Sequence, residues 1–146
     1  MTKSYGITLL SGGLDSTTVT AYALLQTGDL TALTLQYGQT HSKEVERAAE
    51  ICQIMGIRHQ LLDISFLRDV AWYSALTHPE RFPMPEDRPT EQMGVSIPIT
   101  YVPLRNTIFL SLAAAVLESQ VLHGIEVEGM TPQEIEARLY MAPNAI

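Results

Sequence analysis

Ile7-Thr8-Leu9-Leu10-Ser11-Gly12-Gly13-Leu14-Asp15-Ser16 runs from an apolar, β-rich stretch through a glycine pair into a segment with helical spacing. A strand that ends in glycines and feeds a helix turns successive backbone amides toward one point. The positive end of the helix adds to their pull on an anion. This order of strand, glycine loop and helix predicts an anion-binding turn at the head of an α/β unit. The loop has no Lys-Ser/Thr pair, which separates it from the common GxxxxGK[ST] phosphate loop. A plainer reading of the same residues is a Gly-Gly turn with Asp15 or Ser16 as helix N-cap.

The flanking pattern supports the α/β reading. Residues 5–10 read as a strand and 16–26 as a helix, with Val19, Tyr22, Ala23 and Leu25 on one apolar face. Residues 30–37 form a second strand with little polarity, as expected of a sheet covered on both faces. A second helix spans 42–55, with Val45, Ala48, Ala49, Cys52 and Met55 inward and Gly56 as its stop; 57–64 supply a third strand. The βαβαβ alternation predicts an α/β fold: a Rossmann-like, three-layer parallel sheet with ligands at the C-terminal strand ends. Loops 11–16 and 36–41 and the segment after Asp63 then converge on one cleft.

Beyond the third strand the pattern loosens. Pro79, Pro83, Pro85, Pro89 and Pro98 break regular structure over 77–98, which reads as a substrate-side flap or a plain surface excursion. The core resumes at 97–102, and a helix from 106 to 118 packs through Leu110, Ala113, Ala114 and Leu117. Residues 121–127 look β-like, broken by His123-Gly124. Thr131-Pro132-Gln133-Glu134 opens a short helix, with Thr131 as N-cap and Glu134 completing a capping box. Residues 1–146 thus read as one domain with a proline-rich flap at 77–98 and an atypical tail at 119–146.

Composition narrows the partners. The 146 residues are 46% hydrophobic and carry a net charge of −7, with only nine Lys and Arg residues. A grip on nucleic-acid phosphates needs clustered basic residues, so a small-molecule substrate is expected, with no direct nucleic-acid partner. No run reaches the length of a membrane span, and the N-terminal residues lead directly into a strand, so the expected setting is cytoplasmic. The single cysteine, Cys52, allows no intrachain disulfide and no Cys-x-x-Cys site, and reads as a packed core thiol.

Several residues can carry chemistry. Asp15 beside a bound anion requires a cation between them, so it reads as a Mg²⁺ ligand or an orienting acceptor, with plain capping as the alternative. His41 and Glu44 follow the second strand at a spacing of one helical turn; they can orient a substrate, move a proton or cap the helix. Arg105 at the start of a helix sits at the unfavourable end for a cation, which points to a phosphate or carboxylate partner. Asn106 is either a ligand-facing residue or the N-cap, and Tyr101 either stacks on a ligand or is half-buried. His59, His78 and His123 read as surface or packing residues, and no metal-ligand spacing emerges.

Ser-Gly-Gly-x-Asp-Ser resembles the pyrophosphate loop of the N-type ATP pyrophosphatases, which cleave ATP between its α and β phosphates. Ser11 to Thr17, Tyr37-Gly38-Gln39 with His41 and Glu44, and residues 97–103 with Arg105-Asn106 together resemble the 7-cyano-7-deazaguanine synthase family over residues 4–118. The resemblance implies an adenine-nucleotide α-hydrolase-like fold with ATP and Mg²⁺ as cofactors. Leu10, Ser11, Gly12, Gly13, Leu14, Asp15, Ser16 and Thr17 would hold the phosphates. Tyr37, His41, Glu44, Tyr101, Arg105 and Asn106 would line the nucleotide or deazapurine side. It further implies that 7-carboxy-7-deazaguanine is activated as an acyl-adenylate and converted with ammonia to 7-cyano-7-deazaguanine, in queuosine biosynthesis.

The chain departs from that family in places. Leu104 stands where members usually carry a small residue, and would crowd the pocket or repack. The family's Asp-x-Ser-Gly-Tyr-Pro-Asp-Cys-Arg segment and its zinc-binding cysteine cluster have no counterpart after Glu118, so zinc has no ligands to carry over. An ending without the later strands would expose one edge of the first strand unless 121–127 cover it, and the expectation is then a homodimer or poor solution behaviour. Other readings are a different N-type ATP pyrophosphatase amidating a small carboxylate, a non-catalytic nucleotide-binding protein, or a fragment without nucleotide binding.

Overall fold

The computed structural model describes residues 1–37, 42–82, 97–98 and 100–143. In chain order the elements are β1 (Lys3–Leu9), α1 (Leu14–Gln26), β2 (Asp29–Gln36), α2 (Ser42–Met55), β3 (Arg58–Asp63), α3 (Leu67–Val70), α4 (Arg105–Glu126) and β4 (Ile135–Tyr140). The four strands form one parallel sheet in the order β3-β2-β1-β4. Much of the proline-rich stretch, residues 83–96 and 99, lies outside the described residues.

Strand alternation sends neighbouring side chains to opposite faces. Tyr5, Ile7 and Leu33 meet Ala113 and Leu117 of α4 on one face, while Ala32 meets Ala48 and Cys52 of α2 on the other. α1 covers that second face over β1, and the expected layering of helices on both sides is present. Cys52 is 1% exposed and its burial pushes the thiol pKa up, as a packed core cysteine requires. A further core of Tyr37, Ile64, Leu67, Ala71 and Val102 closes the space beyond the C-terminal ends of β2 and β3.

The buried face of α1 differs from the expected one. Tyr22 is 58% and Leu25 82% exposed, whereas Ser16, Thr20 and Ala23 face the sheet. The helix lies too close to β1 for large side chains: a Cβ on Gly6 would come within 2.7 Å of Thr27 Cγ2. Small polar residues serve because their hydroxyls pair, Thr8 with Thr20 at 2.9 Å and Thr20 with the Ser16 carbonyl at 2.8 Å.

The C-terminal part also differs. The last long helix does not end near Glu118, and residues 121–126 are helical instead of β-like. Val121 packs against the Tyr5–Leu117 cluster, and Gly124 is the contact that lets α4 approach β1, since a Cβ there would lie 2.8 Å from Tyr5 Oη. Gly124→Ala should therefore destabilise the protein by about 1–2 kcal/mol, the steric cost exceeding the gain in helix propensity. Tyr5→Phe in the same chain should recover most of that loss in urea denaturation.

The expected tail helix is a single 3₁₀ turn, Pro132–Glu134, followed by β4. The capping interaction exists, with the Thr131 N–H donating to Glu134 Oε2 at 2.8 Å, and this bond holds the Glu134 carboxyl below its ordinary pKa. β4 then pairs with β1 from Lys3↔Ile135 to Thr8↔Tyr140. The edge of β1 expected to be open is therefore covered, by residues 135–140 and not by 121–127.

Candidate functional site

The carboxyl ends of the parallel strands share one edge, and the Ser11–Ser16 loop leaves β1 there. Gly12 has φ +84, and a Cβ on it would lie 2.8 Å from the Glu44 carbonyl and 3.0 Å from Arg47 Cβ. Only glycine satisfies both the backbone angle and the packing against α2. Gly13 is different. Its φ of −80 suits any residue, and its Cβ would meet only Ser11 Oγ, at 3.5 Å. The space beside Gly13 is open to a ligand.

The loop is braced by its own hydroxyls. Ser11 N–H donates to Ser16 Oγ at 3.1 Å, the two serine hydroxyls lie 3.0 Å apart, and Thr17 Oγ1 donates to the Gly13 carbonyl at 2.6 Å. Gly13 is the helix N-cap and uses no side chain, so neither Asp15 nor Ser16 caps α1. The first-turn amides of Leu14, Asp15 and Ser16 precede the first intrahelical acceptor and remain available as donors. Asp15 and Leu14 are exposed, and Asp15 has no hydrogen bond or ion pair among the described residues.

Across from the loop a cavity of about 380 Å³ is lined by Leu10, Ser11 and Ser16 together with Tyr37, Glu44, Arg105 and Asn106. Residues from three separate motifs thus share one space. Tyr37 is 7% exposed and its ring stands 5.7 Å from Phe109. Glu44 lies in the first turn of α2. Arg105 opens α4, is half-buried, and makes no ion pair with a described residue. An adjoining cavity of about 410 Å³ is bordered by Tyr101, Leu104, Arg105 and Asn106, so Arg105 and Asn106 stand between the two.

Leu104, not Asn106, is the N-cap of α4, with φ 53 and ψ 21. A left-handed conformation costs a side-chain-bearing residue roughly 1–2 kcal/mol. The side chain is 66% exposed at the rim of the second cavity, so its consequence lies in the backbone and not in lost pocket volume.

Gly12, Gly13, Leu14, Asp15 and Thr17 belong to the loop without lining either cavity, and His41 lies outside the described residues. Thr34, Val45, Leu76, Phe109 and Met141–Pro143 line the first cavity and were not singled out from sequence. Phe109 was legible as the residue one helical turn after Arg105. His59, read as surface or packing, bonds to Thr34. The described residues contain no group of three or more His, Cys, Asp or Glu able to hold a metal, so no zinc set is assigned. Asp15, exposed at the mouth of the loop, is suited to contribute one oxygen to a Mg²⁺ accompanying a polyphosphate.

A parallel sheet flanked on both faces by helices, with a glycine loop between β1 and α1, defines a Rossmann-like three-layer α/β fold. The NH₃-dependent NAD synthetase of Campylobacter jejuni superposes with a TM-score of 0.50 over 82% of this chain and 44% of that one, at 16% identity, a likeness of fold. Residues 5–136 match the family described as queuosine biosynthesis protein QueC, and the chain belongs to that family. It is 46% identical over 113 residues to the 7-cyano-7-deazaguanine synthase of Syntrophus aciditrophicus, and 42% identical over 119 residues to that of Thermoplasma acidophilum. These alignments cover 77% and 82% of this chain and 48% of each relative, so the chain spans about half the length of the curated relatives it matches.

Proposed function

We propose that this chain binds Mg²⁺-ATP on the Ser11–Ser16 loop and uses it to activate the carboxylate of 7-carboxy-7-deazaguanine, on the way to 7-cyano-7-deazaguanine. The observation that carries this reading is the cavity in which the loop serines face Arg105 and Asn106. The α1 amides and the Ser11 and Ser16 hydroxyls hold the β and γ phosphates, and Asp15 would contribute a carboxylate oxygen to the Mg²⁺ that offsets their charge. Arg105 meets the substrate carboxylate or the α phosphate. Tyr37 and Tyr101 offer flat faces to the rings, while His41 and Glu44 serve on the same side.

A carboxylate oxygen attacks the α phosphorus, the α–β phosphoanhydride bond breaks, and pyrophosphate leaves. Ammonia adds to the acyl carbon, and loss of AMP and a proton gives the amide. The amide oxygen then attacks the α phosphorus of a second ATP, its α–β phosphoanhydride bond breaks and pyrophosphate leaves again, and loss of AMP with both amide protons gives the nitrile. The protein's part is to align the reacting oxygen, stabilise charge on the phosphates and keep water from the adenylate. A cytoplasmic setting accompanies this reading.

Nucleotide binding without turnover is the second reading. Incubation with Mg²⁺, ATP, 7-carboxy-7-deazaguanine and ammonium, followed by mass-resolved chromatography, separates the two. The synthase reading expects substrate-dependent AMP with amide or nitrile, lost in Asp15→Ala. Tight ATP binding without either deazapurine product supports the binding-only reading.

A further inference from the structure

The Leu10–Ser11 peptide is held at both of its ends. Ser11 N–H donates to Ser16 Oγ at 3.1 Å, and the Leu10 carbonyl accepts from Thr34 Oγ1 at 2.7 Å. Leu10 N–H is fixed as well, to the Leu33 carbonyl at 2.9 Å. Thr34 is 3% exposed, and its hydroxyl is also 2.7 Å from His59 Nε2.

A threonine hydroxyl has one proton, and here it goes to the Leu10 carbonyl, which can only accept. His59 Nε2 must then carry a hydrogen and donate it to the threonine oxygen, because two lone pairs would otherwise face each other at that distance. Burial pushes the His59 pKa below its ordinary value, which favours the neutral ring, and the bond to Thr34 sets its proton on Nε2. The order of donors is His59 to Thr34 to the Leu10 carbonyl, running from β3 through β2 to the end of β1.

We infer that His59 and Thr34 are positioning residues for the Ser11–Ser16 loop: together they fix the carbonyl of Leu10, the residue that follows β1, and so set nucleotide affinity. This rests on the reading of that loop as a nucleotide site. A carbonyl freed to swing toward the cavity would present partial negative charge to a polyphosphate, and the peptide N–H would leave Ser16. Ser16 would then lose one of the three contacts that orient its hydroxyl. Both act through the Leu10–Ser11 peptide; Thr34 also lines the first cavity, with its hydroxyl proton engaged by the Leu10 carbonyl.

Thr34→Val and Thr34→Ser separate the hydroxyl from the shape of the side chain. His59→Leu and His59→Gln do the same for the N–H, since a glutamine amide can place a donor near the position of Nε2. Binding of Mg²⁺-ATP by calorimetry, KM and kcat in the synthase assay, and hydrogen exchange of the amides of residues 12–16 are measured below each variant's thermal transition. We expect Thr34→Val and His59→Leu to weaken ATP binding about tenfold, raise KM for ATP more than they lower kcat, and lose loop protection. Thr34→Ser and His59→Gln should remain within about threefold of the parent protein. ATP binding by Thr34→Val equal to the parent, or an equal loss in Thr34→Ser, overturns the inference. Turnover absent in a parent that binds ATP overturns the synthase reading and leaves this one standing on the binding data. If the parent binds no ATP, the nucleotide reading and its affinity role fall, while exchange protection still decides whether the relay holds the loop.

Discussion

Gly12→Ala is expected to be the most damaging single-methyl change in the chain, lowering stability by about 2–5 kcal/mol and abolishing measurable ATP binding. The estimate sums roughly 1–2 kcal/mol for a left-handed alanine and about 1–3 kcal/mol for overpacking. At φ +84 the new methyl would lie 2.8 Å from the Glu44 carbonyl, 3.0 Å from Arg47 Cβ and 3.2 Å from the Ala48 nitrogen. Two of these contacts are backbone atoms of α2 and cannot rotate away. Relief requires the loop to lift from α2, which carries Gly13 and the first turn of α1 out of place. Gly13→Ala provides the contrast. Its methyl would meet only Ser11 Oγ, at 3.5 Å. Stability should fall by no more than about 1 kcal/mol, the cost of placing alanine at an N-cap. ATP affinity should nevertheless fall about tenfold or more, because the methyl occupies the space a phosphate would use. Urea denaturation and calorimetry on the two variants distinguish a glycine needed by the fold from one needed by the ligand. Retained ATP affinity in Gly13→Ala would remove the loop from the phosphate site.

The contrast between those glycines also shows what was readable from sequence. The strand–loop–helix order, the parallel sheet and the convergence of three motifs follow from local pattern and chain topology, and the cavity does bring Ser11, Tyr37 and Arg105 together. Sequence pattern and structure diverge where a local signal competes with a longer-range contact. Gly124 looks like a break in a β-rich run, yet its role is to admit Tyr5 Oη against α4, a contact 119 positions away in sequence for which no local pattern exists. The turn at Thr131 was read as the start of a helix, but Ile135-Glu136-Ala137-Arg138-Leu139-Tyr140 alternates apolar and charged residues with the period of a strand. The capping box closes only the turn at 131–134, and the alternation that follows it sets the strand. On α1, apolar Tyr22 and Leu25 suggested the packed face, whereas the close approach at Gly6 selects threonines whose hydroxyls bond one another. Thr34 and His59 carry no motif, because their role depends on strands brought side by side in register.

Arg105→Met should lower kcat/KM in the synthase assay by about 100- to 1000-fold, the range for removing one charge-stabilising donor from an active site. The same change should leave the protein as stable as before or slightly more so. Arg105 is the first residue of α4, where its charge opposes the positive end of the helix at a cost of about 0.3–1 kcal/mol, and no described carboxylate pairs with it. Among the described residues the local electrostatics give the side chain no structural reason to be cationic. An anionic ligand supplies one, since Arg105 borders both cavities and can face a phosphate from one side and a carboxylate from the other. Arg105→Lys keeps the charge but loses the planar fork that grips two oxygens at once, so about a tenfold loss is expected, confined largely to the step that joins carboxylate and α phosphate. Thermal denaturation alongside single-turnover adenylate formation tests the pairing of effects. A large fall in melting temperature with Arg105→Met would make Arg105 a structural residue, and an unchanged rate of adenylate formation would remove it from the chemistry. A stable protein that has lost the reaction identifies the guanidinium as the ligand-facing cation of this site.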